Sequence, residues 1–439
     1  MPRITVAISV IALSAGAALG TESSVPFINA DDVHALGITG RGVTVAVIDA
    51  GIYSPHPGLA GSIAGGGVSI INGQLIFDGG AAPPGQYHGT RVSLIITDAT
   101  GVAPNAKTLS IRIFDASGQS TVGDARLAID WARLRKRRDP TIRVINLSLS
   151  FGLPGTWYPC TCDHVHAATT TALSEAAQAG IITFAATGND ANCGGIMFPA
   201  CVSGVVRVAA SYDDDYGMVS FESLCTDPAA LPYWVACFSN IAEDCDYLLA
   251  APGYDITVGG FAGFSGTSLA TPHCSGVAAL MFEKNRCGSL DAASARTTIF
   301  NTATVHDLAF PYCALSPQPR HVNALAAVDA VAEGPCSMVL GDLDCDGTVS
   351  LFDFREILRC LTGPQVGPGL AGWLCACADR GGAESGYHVP RFNVPRFMAC
   401  SVQSERRRLP TPDPFTKELL PRPGAAGAHL YELGPVKAL

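Results

Sequence analysis

An α/β fold built on a mostly parallel sheet with helices on both faces, followed by a small α-helical module, is what this sequence predicts, on three observations. Five runs rich in β-branched residues, VTVAVI (43–48), LSIRIF (109–114), IRVINLSLS (142–150), IITFAA (181–186) and VVRVAA (205–210), show no clean alternation. Strands covered on both faces read this way. Helical spacing separates them, as in VGDARLAIDWARLRKRR (122–138) and HAATTTALSEAAQAG (166–180), and strands that alternate with helices form parallel sheets. Past residue 333 the pattern changes to an acidic loop, GDLDCDGTVSLFDF, leading into a short helix.

Taken in order, residues 1–20 carry a basic Arg3, an apolar run from Ile4 to Leu19, and small residues at Ala18 and Gly20. This is the pattern of a secretory signal, too short and too rich in small residues for a membrane span. Cleavage is expected near Gly20, with the protein outside the cell, and no later apolar run reaches spanning length. A chain of 439 residues, 48% hydrophobic and 15% charged, has ample core for a soluble globular protein of more than one domain. Its net charge of -10 argues against a nucleic-acid partner. Sixteen cysteines fit an oxidising compartment. Cys193 and Cys201, which flank a short loop, are the first expected disulfide, and Cys274 is expected to be a buried free thiol. The basic run RLRKRR (133–138) falls in the last turns of a predicted helix, where cations offset the dipole.

Ligands of an open α/β sheet bind in the crevice at the carboxyl ends of its strands, and Asp49, Ser150 and Asn189 sit at or just past such ends. In FSGTSLATPHCSG (264–276) a small-residue turn gives way to apolar spacing at Leu269, Val277, Leu280 and Met281. Ser268 is thereby placed at a helix start, where the dipole favours developing negative charge. Pro272 fits a first turn, whose N–H groups have no helical partner, and Gly266 lets another chain approach closely. Singly, each residue has an ordinary reading: a serine N-cap, an aspartate or asparagine turn, a surface or core histidine.

The combination is more specific. GTSLATPH (266–273) resembles the nucleophile motif of the subtilisin-like serine proteases, and the other motifs follow in that family's order: VTVAVIDAGI with Asp49, HPGL at 56–59, HGT opening at His88, and FAATGND with Asn189. Asp, His, Ser is the subtilisin order, and no G-x-S-x-G elbow of the α/β-hydrolases occurs. The resemblance implies a secreted serine endopeptidase acting on proteins and peptides. His88 would be the base that makes the Ser268 hydroxyl nucleophilic, Asp49 would orient and stabilise the imidazole, and Asn189 would donate to the oxyanion with the Ser268 N–H. Ser148, Leu149 and Ser150 on one side and Ala185, Ala186 and Gly188 on the other would be the walls between which an extended peptide adds as a strand. These small, uncharged walls suggest apolar or aromatic side chains before the cleaved bond. The family's catalytic domain begins near Ile28, which leaves no room for a folding pro-segment and implies folding unaided or with help in trans.

The sequence departs from the family pattern in three places. Ala50 replaces a hydroxyl residue that donates to the aspartate. Arg91, Val92, Ser93 and Leu94 follow HGT in place of histidine, valine and small residues, so that a neighbour of Leu94 must be smaller. Ser150 stands where glycine is common, narrowing the site. The alternative function is therefore a catalytically weak or inactive relative acting as a calcium-dependent binding module.

The catalytic domain is expected over 21–332, closing on a helix at 320–331, with a linker at EGPCS (333–337). Asp342, Asp344, Asp346, Gly347 and Asp353 then occupy positions 1, 3, 5, 6 and 12 of an EF-hand-like loop, with the Thr348 carbonyl at 7 and Ser350 at 9. Calcium, a hard cation, wants such oxygen ligands. The segment 333–400 resembles a dockerin, which implies calcium at this loop and a cohesin-like docking partner. Its second repeat, from CACAD (375–379), lacks the ligands. Residues 401–439, rich in Pro, Arg and Gly, read as a disordered tail. Calcium is the one cofactor implied, with the catalytic domain open as a second location, and the chain is expected to be a monomer.

Overall fold

Thr44–Asp49 (β1) is buried along its whole length, and its side chains alternate between two cores. Val45 and Val47 belong to one apolar cluster, Ala46 and Ile48 to the other. With both faces covered there is no polar face to write into the sequence, which explains the missing alternation. The computed structural model describes residues 23–334 apart from 153–155, 222, 244, 287, 307–312 and 314–318. The expected signal segment, calcium loop, dockerin-like segment and tail lie outside the described residues.

Two short helices, Ser24–Phe27 (α1) and Ala30–Ala35 (α2), precede β1. After it come Val68–Ile71 (β2), Gln74–Ile76 (β3), His88–Thr97 (α3), Lys107–Arg112 (β4), Val122–Lys136 (α4), Ile142–Leu147 (β5), Ala167–Gln178 (α5), Ile182–Ala186 (β6) and Val206–Ser211 (β7). Gly217–Phe221 (β8), Cys225–Ala230 (β9), Leu248–Pro252 (β10), Ile256–Val258 (β11) and Phe261–Phe264 (β12) lead to Thr267–Lys284 (α6). Ala292–Thr302 (α7), Arg320–His321 (β13) and Ala324–Asp329 (α8) complete the described chain.

Among these residues the main sheet has nine strands in the order β13-β10-β7-β6-β5-β1-β4-β2-β3. All its pairs are parallel except the β2–β3 hairpin. Helices α3, α6 and α8 pack into one core and α4 and α5 into the other, so both faces are covered. Buried on every side from Thr267 to Glu283, α6 is the central helix of its face.

Several expectations are corrected by a few residues. The predicted strand at 142–150 ends at Leu147, and Ser148–Ser150 continue beyond it as a loop. The predicted helix at 320–331 divides: Arg320–His321 pairs with β10, and the Asn323 side chain, accepting from Ala326 N at 3.0 Å, caps a shorter α8. Pro272 is the sixth residue of α6, not part of a first turn. The expected Cys193–Cys201 bridge is absent. Cys201 pairs with Cys162 and Cys193 with Cys313, alongside Cys160–Cys245 and Cys225–Cys237. The loop after Asn189 runs toward residue 241, with Gly195 N donating to the Ile241 carbonyl, and this carries Cys193 away from Cys201.

Cys274 is a buried free thiol, and burial pushes its pKa up. Leu94 has the small neighbours its size demands: a Cβ on Gly58 or Gly259 would stand 2.7 and 2.6 Å from its methyl groups. The basic run ends α4 as expected, with Arg133 paired to Glu175 and Lys136 donating to two carbonyls. No helix among the described residues is long and apolar enough to cross a membrane.

Candidate active site

Asp49 is the last residue of β1 and is buried. His88 is the first of α3, and its Nδ1 lies 2.9 and 3.0 Å from the two carboxylate oxygens of Asp49. The approach depends on Gly89, because a Cβ there would collide with the Gly51 carbonyl. Asp49 Oδ1 also accepts the Ala50 N–H at 2.6 Å, so the aspartate has a backbone donor although residue 50 has no hydroxyl. One turn beyond His88, the Arg91 guanidinium lies 3.8 Å from the Phe264 ring centroid. This stacking sets the first turn of α3 beside the segment that leads into Ser268. Burial holds Arg91 below its ordinary pKa, against the opposing pull of the Asp49 charge.

Ser268 is the second residue of α6, at the positive end of that helix. Asn189, past the end of β6, accepts on its Oδ1 from both Thr267 N at 2.9 Å and Thr267 Oγ1 at 2.8 Å. Two donors on one atom identify it as the oxygen, so the amide nitrogen points the other way. It points toward the serine: a Cβ built on Gly266 would stand 3.2 Å from Asn189 Nδ2 and 3.3 Å from Ser268 Oγ. A side chain at 266 would thus crowd both the Ser268 hydroxyl and the Asn189 amide nitrogen, which glycine leaves clear.

A buried relay holds the serine's own peptide. Pro272 has no N–H, so the Ser268 carbonyl four residues earlier loses its helical donor. Ser148 replaces it, donating from Oγ to Ser268 O at 2.7 Å. Asn146 Nδ2 donates to Ser148 Oγ at 2.9 Å, and Ser275 Oγ donates to Asn146 Oδ1 at 2.9 Å. The relay joins β5 to α6, and all three side chains are buried. Ser148→Ala is expected to remove this donor from the Ser268 carbonyl and to cost about 1–3 kcal/mol of stability, with a several-fold fall in turnover. Thermal melting and casein cleavage check it, and an unchanged melting temperature would count against the relay.

Ser148, Leu149, Ser150, Ala185, Ala186 and Gly188 are all buried. Gly188 has φ 108°, and a Cβ there would overlap the Asn240 amide and stand 2.9 Å from Met197. Sequence reasoning missed Asn146, Ser275, Thr267 and Asn240. Only Thr267, inside the GTS motif, carried a local signal. Among the described residues no cluster of three or more His, Cys, Asp or Glu could hold a metal ion. Asp342, Asp344, Asp346, Thr348, Ser350 and Asp353 lie outside those residues.

The model of the subtilase family, Peptidase_S8, matches residues 40–329. Subtilisin Savinase of Lederbergia lenta is 30% identical over 283 residues, 63% of this chain and 89% of that protein. Subtilisin DY of Bacillus licheniformis is 29% identical over 289 residues, 64% of this chain and 90% of its own. An alkaline protease of Alkalihalobacillus alcalophilus is 31% identical over 283 residues, and the match spans 63% of each chain. With a family match that takes in Asp49, His88, Asn189 and Ser268, the chain belongs to the subtilase family.

Proposed function

We propose that the protein is a secreted serine endopeptidase that hydrolyses peptide bonds through Asp49, His88 and Ser268, with Asn189 as oxyanion donor. The observation that carries this reading is the open position above Gly266, 3.2 Å from Asn189 Nδ2 and 3.3 Å from Ser268 Oγ, in a chain where Asp49 holds His88 Nδ1. Ser268 Oγ attacks the carbonyl carbon of the scissile bond while His88 takes its proton. The carbonyl oxygen becomes the oxyanion, stabilised by Asn189 Nδ2 and the Ser268 N–H in water-poor surroundings. His88 returns the proton to the leaving amine, and water then repeats the sequence on the acyl-enzyme. Asp49 keeps the imidazole in the tautomer with Nδ1–H donated to the carboxylate.

Labelling with a serine-reactive fluorophosphonate tests the reading. The native chain is expected to label and Ser268→Ala is not. Equal labelling of both would remove the activated nucleophile and leave the binding-module alternative.

The C-terminal loop is proposed to bind one calcium ion through Asp342, Asp344, Asp346, the Thr348 carbonyl, Ser350 and Asp353, a donor set of hard oxygens suited to that ion. When bound, calcium would neutralise carboxylates that otherwise repel one another, and this segment would dock onto a cohesin-like partner. In calorimetry on the full chain, Asp342→Ala or Asp353→Ala is expected to remove one equivalent of bound calcium. Equal binding by native and substituted chains would refute the site.

A further inference from the structure

We infer that Asn240 is a positioning residue for the oxyanion donor Asn189, an inference that rests on the proteolytic reading above. Asn240 lies between β9 and β10, far from the catalytic motifs in sequence, and is wholly buried. Its Oδ1 accepts from Asp190 N at 2.9 Å and from Asn192 N at 3.1 Å. Its Nδ2 donates to Asp190 Oδ2 at 2.8 Å, and its backbone N–H donates to the Gly188 carbonyl at 2.9 Å. One residue therefore grips the chain immediately before and immediately after Asn189.

The surrounding loop is built to the same end. Gly188 lacks a side chain where the Asn240 amide packs, and any Cβ there would overlap it. Ala191 adopts φ 54°, a conformation a non-glycine residue keeps only when its surroundings impose it. Here its N–H is held by the Phe238 carbonyl at 2.9 Å, and Ile241 N donates to Asn192 O at 2.8 Å. Residues 188–192 are thus laced to 238–241 on one side, while Thr267 holds the Asn189 side chain on the other.

The chemistry selects asparagine. Both lone pairs of Oδ1 are used, and the amide supplies the donor that the Asp190 carboxylate needs. Aspartate at 240 would set a second carboxylate against the first, and an apolar residue would orphan two N–H groups. Precision is the functional reason for such bracing. An oxyanion donor works only when held within about 0.5 Å of its productive place, and a misplacement of about 1 Å can cost about a hundredfold in rate.

Steady-state kinetics on a peptide substrate, with the full chain, test the assignment. Asn240→Asp is expected to lower kcat by about 10- to 100-fold with KM unchanged. Combining it with Asp190→Asn exchanges donor and acceptor between the two positions and should restore most of kcat. Because Asn240 acts through Asn189, adding Asn240→Asp to Asn189→Ala should cost less than about twofold more. If Asn240→Asp does not fold, Asp190→Ala breaks the same Nδ2 bond from the other end and should lower kcat, not KM. Full activity in Asn240→Asp, losses that multiply with Asn189→Ala, or a rise in KM alone would overturn the assignment while leaving the proteolytic reading intact. Absence of Ser268-dependent turnover in the native chain would overturn both.

Discussion

Ser268→Ala is expected to lower the turnover of an unfolded protein substrate by about a millionfold. The figure is the one measured in subtilisin, a protein of the same family, from which the expectation is taken. The side chain lost is a single hydroxyl, so the effect would come from chemistry and not from packing: the position is buried at the head of α6, and alanine suits a helix. His88→Ala should cost about as much. Asp49→Ala should cost less, because the imidazole can still accept a proton when its tautomer is no longer held. The triple variant should be little worse than Ser268→Ala alone, since base and orienting group have nothing left to activate. Casein cleavage by purified native and substituted chains checks this, with near-ultraviolet circular dichroism confirming that each is folded. Equal cleavage by native and Ser268→Ala proteins would defeat the assignment.

Gly266→Ala carries the second large effect, and it removes no catalytic group. The added methyl would sit 3.2 Å from Asn189 Nδ2 and 3.3 Å from Ser268 Oγ, between the proposed oxyanion donor and the proposed nucleophile. Losing one oxyanion donor costs about 10²–10³ in kcat, a figure also taken from subtilisin. A methyl that both masks the donor and excludes the substrate oxygen should cost at least as much. Because the nucleophile and its base remain, slow fluorophosphonate labelling should persist when turnover has fallen. A variant with native kcat would show that the oxyanion forms elsewhere.

The parts of the site that could be read from the sequence are those that sit at the ends of single elements. Asp49 closes a strand, His88 opens a helix, and Ser268 follows a glycine turn. Each is flagged by a handful of neighbours, since the local backbone is what aims the side chain. The bracing could not be read in this way. Asn240 meets Asp190 across fifty residues, and Ser148 meets Ser268 across 120; no local periodicity marks such pairs. Cysteine pairing failed for the same reason, because Cys193 reaches Cys313 across 120 residues while its near neighbour Cys201 turns back to Cys162. The start of α6 was misjudged by two residues because Thr267 and Ser268 are polar yet buried, and apolar spacing cannot see them. That shift is what places Pro272 inside the helix and hands the Ser268 carbonyl to Ser148.

The strand order has a consequence for how the molecule comes into being. β1 is among the first elements made, yet it lies inside the sheet, between β4 and β5, whose residues follow about sixty and about a hundred positions later. At a synthesis rate of about 5–20 residues per second, β1 waits several seconds with both edges bare. On the β5 side, β6, β7 and β10 are then laid down outward in chain order, whereas on the other side β2 and β3 are made before the β4 that joins them to β1; α6, with Ser268, arrives only after β10. Such long-range pairing makes folding slow. On the proteolytic reading, a nascent chain carries Asp49 and His88 well before it has a nucleophile, so it cannot digest its neighbours until Ser268 has been added.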